Sequence, residues 1–205
     1  MGFYDQQVLP RFINLVCATK TVRELRQRVC AGLHGRVVEV GFGSGLNIPH
    51  YPAEVTSVAA IEPADTGWKL AGRRVAGAPI PIDRTGLEGQ ALPLSDNSCD
   101  AALSTYTLCT IPDVAAALAE LRRVLKPGAA FHFLDHGLAP DESVRRWQHR
   151  LDPLQQRLFG GCHLTRPIAD LVSEAGFTIS DLDIFYEKGA PKIWGAASLG
   201  VAVSP

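Results

Sequence analysis

The stretch Arg36–Asn47, RVVEVGFGSGLN, decides the fold. Val37, Val38, Glu39 and Val40 form a short β-branched run, and Gly41, Phe42, Gly43, Ser44 and Gly45 follow at once. An apolar run that stops at glycines marks a buried parallel strand ending in a tight loop. Gly41 and Gly43 suit a backbone that turns sharply and lets a ligand approach with no Cβ in the way. The free N–H groups of such a loop favour an anionic or closely hydrogen-bonding ligand. A dinucleotide loop reads G-x-G-x-x-G. Here the first two glycines fit, but the third slot is Leu46 and the extra glycine falls at Gly45. The loop alone leaves open a nucleotide phosphate, another closely held ligand, or a structural turn with none.

Composition narrows the class. A chain of 205 residues is expected to form one domain with a full core. The net charge of −1 offers no electrostatic footprint for nucleic acid. No run approaches the ~18 apolar residues of a spanning helix, so no stable membrane insertion is expected. Phe3–Gln7 does not read as the start of a signal peptide. The five cysteines, Cys17, Cys30, Cys99, Cys109 and Cys162, are odd in number and contain no C-x-x-C. That pattern supports neither a zinc ribbon nor a disulfide frame, and it fits a reduced, cytoplasmic setting.

Outward from the glycine loop, strands and helices alternate. Before it, Phe3–Thr19 and Val22–Leu33 read as amphipathic helices, the first interrupted by Pro10. They precede the first strand, so residues 1–33 are expected to form a lid over a core of 34–205, with Tyr4 or Gln7 reaching inward. After the loop, Leu46–Tyr51 starts a short helix cut by Pro49 and Pro52, and Thr56–Glu62 is a strand. Glu62 at its tip is placed to accept from two ribose hydroxyls of a nucleoside-bearing ligand. Pro63 and Ala64 would give the base a flat apolar wall, and Glu88 and Gly89 follow the third strand, Ile80–Thr85, where an adenine amino group needs an acceptor. Asp65–Val75, Pro112–Leu125, Glu142–Phe159 and Pro167–Ala175 read as helices. Cys99–Thr105 and Ala129–His136 read as strands, and alternation places His132 and Leu134 on one face of the latter, Phe131 and Phe133 on the other. Phe177–Tyr186 and Trp194–Val203 are close enough to pair as an antiparallel hairpin.

These motifs resemble a known family over almost the whole chain. EVGFGSG at Glu39–Gly45 is similar to motif I of the class I S-adenosylmethionine (SAM) methyltransferases. LPLSDNSCD and LRRVLKPGAAFHF resemble signatures of the type-11, ubiquinone/menaquinone-biosynthesis-like group, with Leu94 and Cys99 in place of phenylalanines and Phe42 in place of a cysteine. YTLCTIPD, FLDHG, LDP and FGGCHLTRP look like the animal methyltransferase-like proteins that S-methylate small thiols. Those carry an apolar N-terminal anchor; YDQQVLPRF resembles bacterial relatives without one. The resemblance implies an α/β, three-layer Rossmann-like sheet of order 3-2-1-4-5-7-6, its last strand antiparallel, with added N-terminal helices. It implies SAM as cofactor and S-adenosyl-L-homocysteine as product.

The expected cofactor set is Glu39, Gly41, Gly43, Gly45, Asn47, Glu62, Pro63, Glu88, Gly89, Ser104 and Thr105, with Glu39 facing the ammonium end. Methyl transfer is an in-line displacement that needs an aligned, and for a thiol a deprotonated, nucleophile. His136 with Asp135 at the tip of the fifth strand, and Tyr106, are the candidate catalytic residues; Cys162 and His163 are expected to line the acceptor pocket. A carboxylate beside His136 would raise its pKa, although strand neighbours point opposite ways. A metal site from His132, His136, Cys162 and His163 follows no spacing rule, so no metal is expected. The expected partner is a small-molecule acceptor, possession of a thiol being one option. A quinone or lipid-like acceptor, a SAM-binding protein without catalysis, and an NAD-dependent oxidoreductase are the alternatives.

Overall fold

The computed structural model describes residues 9–86 and 88–205. Tyr4 and Gln7, and the start of the first predicted helix (residues 3–8), lie outside the described residues.

Seven strands form one sheet: β1 (Gly35–Val40), β2 (Val55–Ile61), β3 (Ile82–Gly86), β4 (Cys99–Thr105), β5 (Leu125–His136), β6 (Thr178–Tyr186) and β7 (Ala196–Val203). Their order is β3-β2-β1-β4-β5-β7-β6, the one the family resemblance implies. The first five pair in parallel, and β7 runs antiparallel to both β5 and β6. The parallel strands therefore end at one edge, where the loops after β1, β2, β4 and β5 gather.

The helices are α1 (Leu9–Val16), α2 (Lys20–Cys30), α3 (Asp65–Ala76), α4 (Val114–Val124), α5 (Glu142–Leu158), α6 (Ile168–Glu174) and α7 (Lys192–Gly195). Alternation along β5 divides the core as expected. Phe131 and Phe133 pack with Leu118, Leu121, Ile168 and Phe177 from the α4 and α6 side. Leu134 packs on the other face with Leu25, Val29, Phe42 and Ala71. Helix α2 buries Val22, Leu25, Val29 and Cys30 and is thus part of the helical layer against the sheet.

Several boundaries differ from the sequence reading. The short segment after the glycine loop is a single 3-10 turn, Ile48–His50, with Pro49 in its first turn. Asp113 caps α4 by accepting from the Ala116 N–H at 2.9 Å. Strand β5 begins at Leu125, four residues before the expected start, because Leu125 already pairs with Cys99 before a register shift. The stretch between β6 and β7 contains the one-turn helix α7 where a plain hairpin linker was expected. Arg123 explains why two separated signature segments occur together: its guanidinium donates to the Leu92 and Leu94 carbonyls and to Asp96, fastening the stretch before β4 to α4. No helix among the described residues is long and apolar enough to cross a membrane.

Candidate functional site

The glycine loop closes on its neighbours through backbone bonds. The Gly41 and Phe42 N–H groups both donate to the Ile61 carbonyl at the end of β2. Gly41 has φ +76°, and a Cβ there would overlap the Thr107 side chain, so the loops after β1 and β4 touch only because this residue is glycine. Gly43 has φ +58°, and a Cβ there would make only an ordinary contact, 3.9 Å from the Gly41 carbonyl oxygen. Phe42 is buried against Trp68 with ring centroids 5.5 Å apart.

Glu62 is buried at the tip of β2 beside this loop. Its Oε2 accepts from the Gly43 N–H at 2.6 Å and its Oε1 from the Ala64 N–H at 2.7 Å. Burial pushes its carboxyl up, against these two bonds and the charge of Arg84. Pro63 is exposed beside it. Gly89 lies so close to the end of β1 that a Cβ would press on Val40, while Glu88 is exposed.

The end of β1 carries a buried polar network. Glu39 is fully buried. Asn47 Nδ2 donates to its Oε1 at 2.8 Å, and the Tyr51 hydroxyl donates to its Oε2. Burial raises the Glu39 carboxyl to about 7, against these two donors and the nearby Arg26 charge. Arg26 of α2 completes the network, donating to Asn47 Oδ1 at 2.7 Å and to Thr105 Oγ1 at 2.9 Å. Its buried Nε has no partner among the described residues, and neither has the buried Ser104 hydroxyl. Sequence reasoning missed Arg26 and Tyr51. Arg26 was hidden in a run of arginines, yet it falls at helical spacing among Val22, Leu25, Val29 and Cys30, the buried stripe of α2. An arginine inside such a stripe is the signal that could have found it.

The loop after β4 forms the other half of the site. Tyr106 has φ +53°, a costly conformation for a residue with a side chain. Its ring lies 4.8 Å from that of His136, and its hydroxyl donates to Glu187 Oε1 at 2.7 Å. Asp135 is fully buried and accepts the Thr107, Leu108 and Cys109 N–H groups at 2.8, 2.7 and 3.2 Å. The carboxylate beside His136 is therefore Glu187, whose Oε1 is 3.4 Å from Nε2, and not the Asp135 expected from the sequence. Alternation along β5 turns Asp135 toward the β4 loop, and Glu187 arrives from the end of β6. Burial works against a charged His136, but hydrogen bonds with Cys162 and Glu187 prevail and push its pKa to about 10.

The four residues considered for a metal do not gather. His132 is buried on the α2 side, its Nδ1 2.8 Å from the Val29 carbonyl oxygen. His163 turns its Nδ1 to Asp152 at 3.5 Å. His136 and Cys162 do meet, together with Cys109, which sequence reasoning had not considered for this role. The Cys109 and Cys162 sulfurs are 3.5 Å apart. The Cys109 thiol is pushed up and Cys162 is pulled down, first by the bond between them and in Cys162 also by His136.

A mixed sheet of this order, its seventh strand antiparallel, with a glycine turn after its first strand and an acid at the tip of its second, defines a class I SAM-dependent methyltransferase. A methyltransferase-domain family model matches residues 38–133. Human thiol S-methyltransferase TMT1A is 32% identical over 178 residues, spanning 82% of this chain and 72% of that protein. Rat thiol S-methyltransferase TMT1B is 29% identical over 151 residues, 72% of this chain and 62% of that protein. A SAM-dependent methyltransferase structure from Thermotoga maritima superposes with a TM-score of 0.69 at 21% identity, covering 98% of this chain and all of that one. The chain belongs to the methyltransferase family that contains TMT1A, and its cofactor is SAM. The residues present fit that cofactor: the backbone at Gly43 carries no side chain to bar a close approach, and the Arg26 Nε and Ser104 hydroxyl, unpartnered among the described residues, are buried polar atoms in want of a ligand.

The two glycines make separable demands. Gly41→Ala is expected to lower stability by about 1–3 kcal/mol, from strain plus the overlap with Thr107. Gly43→Ala is expected to cost only about 1–2 kcal/mol of backbone strain. Urea denaturation of both variants checks the order; a Gly43 variant less stable than the Gly41 variant would contradict the packing described here.

Proposed function

We propose that this methyltransferase acts on a small thiol. The observation that carries the reading is the group of His136, Cys109 and Cys162 at the carboxyl edge of β4 and β5, in a chain related to thiol S-methyltransferases. A thiol attacks as its thiolate, so the acceptor side must favour a sulfur anion. His136, held by Glu187 and with its ring tilted against that of Tyr106, supplies a hydrogen-bonding cation on that side in the metal-free chain. Asp135 acts as a positioning residue, since its oxygens hold the β4 loop from Thr107 to Cys109.

SAM, when bound, supplies the methyl group and a sulfide leaving group. In this reading Glu62 holds the ribose hydroxyls, with Pro63, Glu88 and Gly89 around the adenine. Glu39 and Asn47 face the ammonium, and Arg26 faces the carboxylate. Gly41, Gly43 and Gly45 keep the backbone close, and Ser104 and Thr105 line the methionine end. Helix α1 serves as cover over the loop, a reading supported by the Ser44 hydroxyl, which donates to Asn14 at 2.7 Å. Five cysteines without a disulfide among the described residues favour a cytoplasmic setting.

Incubation with SAM and parallel panels of small thiols, quinols and phospholipids, read by mass spectrometry, tests the acceptor. A methyl thioether with matching S-adenosyl-L-homocysteine is the expected result. Product confined to the quinol or lipid arm, or SAM binding with no product at all, overturns the thiol reading.

The Glu39 carboxyl, raised to about 7, gives a pH signature. Only its ionised form attracts the ammonium of SAM, so lowering the pH through 7 protonates it and weakens binding. Affinity should fall by up to about tenfold per pH unit on the acid side. Calorimetric titration across about pH 5.5 to pH 8 checks this. Glu39→Gln should flatten the acid limb; an unchanged limb in that variant would exclude Glu39 as its source.

A further inference from the structure

We propose that Cys109, Cys162 and His136 form a binding site for one thiophilic divalent cation, zinc by its chemistry, with a fourth position left open. Their ligand atoms all lie within 4.8 Å of one another. Two sulfurs on a tetrahedral zinc stand about 3.8 Å apart, given Zn–S bonds of about 2.3 Å. The observed Cys109–Cys162 separation of 3.5 Å needs little adjustment to reach that value. Three ligands of the Cys₂His type leave zinc a fourth site for water or substrate.

A second, independent observation points the same way. Glu187 meets the His136 imidazole at Nε2, and Glu187 is itself held by the Tyr106 hydroxyl. A carboxylate behind a histidine fixes ring orientation and tautomer in metal sites. The ligands come from rigidly tied backbone. Cys109 sits on the loop gathered by Asp135. The His163 N–H donates to the Cys109 carbonyl at 2.9 Å, tying the Cys162 loop to the Cys109 loop. Both cysteines are buried, while the His136 side chain keeps 28% of its surface exposed, which leaves an approach past the imidazole. Only thiolates and a neutral imidazole ligate, so on binding the remaining thiol protons and the extra proton of the His136 imidazolium pass to solvent; two thiolates cancel the charge of the cation, which replaces charged His136 as the positive group beside the acceptor.

No sequence motif announces the site, because its ligands arrive from three separate elements: the β4–α4 loop, the tip of β5 and the α5–α6 loop. The metal site stands whether or not the acceptor is a thiol. Its use in holding the acceptor rests on the thiol reading, since an open position on such a cation takes a thiolate.

Co²⁺ is the probe, added to the full chain after chelator treatment and full reduction. One equivalent should give the visible bands of tetrahedral cobalt and a thiolate charge-transfer band, both bleached by Zn²⁺. Cys109→Ser and Cys162→Ser should each diminish the charge-transfer band, and Glu187→Gln should weaken cobalt binding by about tenfold. Cys99→Ala, at the far end of β4, should leave the spectrum intact. SAM binding in each variant verifies the fold. A reduced wild-type chain that gives no thiolate band, or a band untouched in Cys162→Ser, overturns the site. A small thiol should shift the band of the cobalt form. An intact band that no thiol shifts refutes the acceptor-holding role alone.

Discussion

A carboxylate buried completely at the end of β1 sets the terms for this molecule. Glu39 has no water to solvate it, so its oxygens must find donors within the protein. They find them on Asn47, beyond the glycine loop, and on Tyr51, beyond the following 3-10 turn. Both donors reach Glu39 only because the chain reverses through Gly41, Gly43 and Gly45. Arg26 then ties the assembly to α2, and Thr105 ties it to β4. One acid thus draws together four parts of the sequence, and the same requirement keeps the rim at the end of β1 polar.

The loop after β4 repeats this logic one strand away. Asp135, also fully buried, gathers three consecutive N–H groups from Thr107 to Cys109. That grip helps to hold Tyr106 in its left-handed conformation and presents the Cys109 thiol toward Cys162 and His136. The two halves meet where Gly41 passes Thr107, a contact with no room for a side chain on the glycine. The loops after β1 and β4 are therefore packed against each other, and a change in one is felt by the other.

Much of the fold is legible in the sequence because each strand has its own local signal. β1, β2 and β4 are short apolar runs that stop at glycine, proline or turn residues, and β5 alternates cleanly from Phe131 to Leu134. Boundaries are less legible where backbone pairing overrides local pattern, as at Leu125, which pairs with Cys99 and starts β5 although it reads as a helix end. Within the site, the residues near the glycine loop were legible since spacing from Gly41 places them. Arg26, Tyr51, Glu187 and Cys109 were not. Each acts at long range in the chain, so its role depends on which strands end side by side. Asp135 was legible as a rim residue, but its partners were not, because backbone N–H groups leave no trace in sequence.

The most direct measurement is a crystal structure of the chain grown with S-adenosyl-L-homocysteine. The account requires the adenosyl group on the carboxyl edge between β1 and β2, its ribose hydroxyls on Glu62, and its amino acid end among Glu39, Asn47 and Arg26. A nucleoside bound elsewhere, or a ribose on this edge with the Glu62 carboxylate turned away from it, would contradict the account.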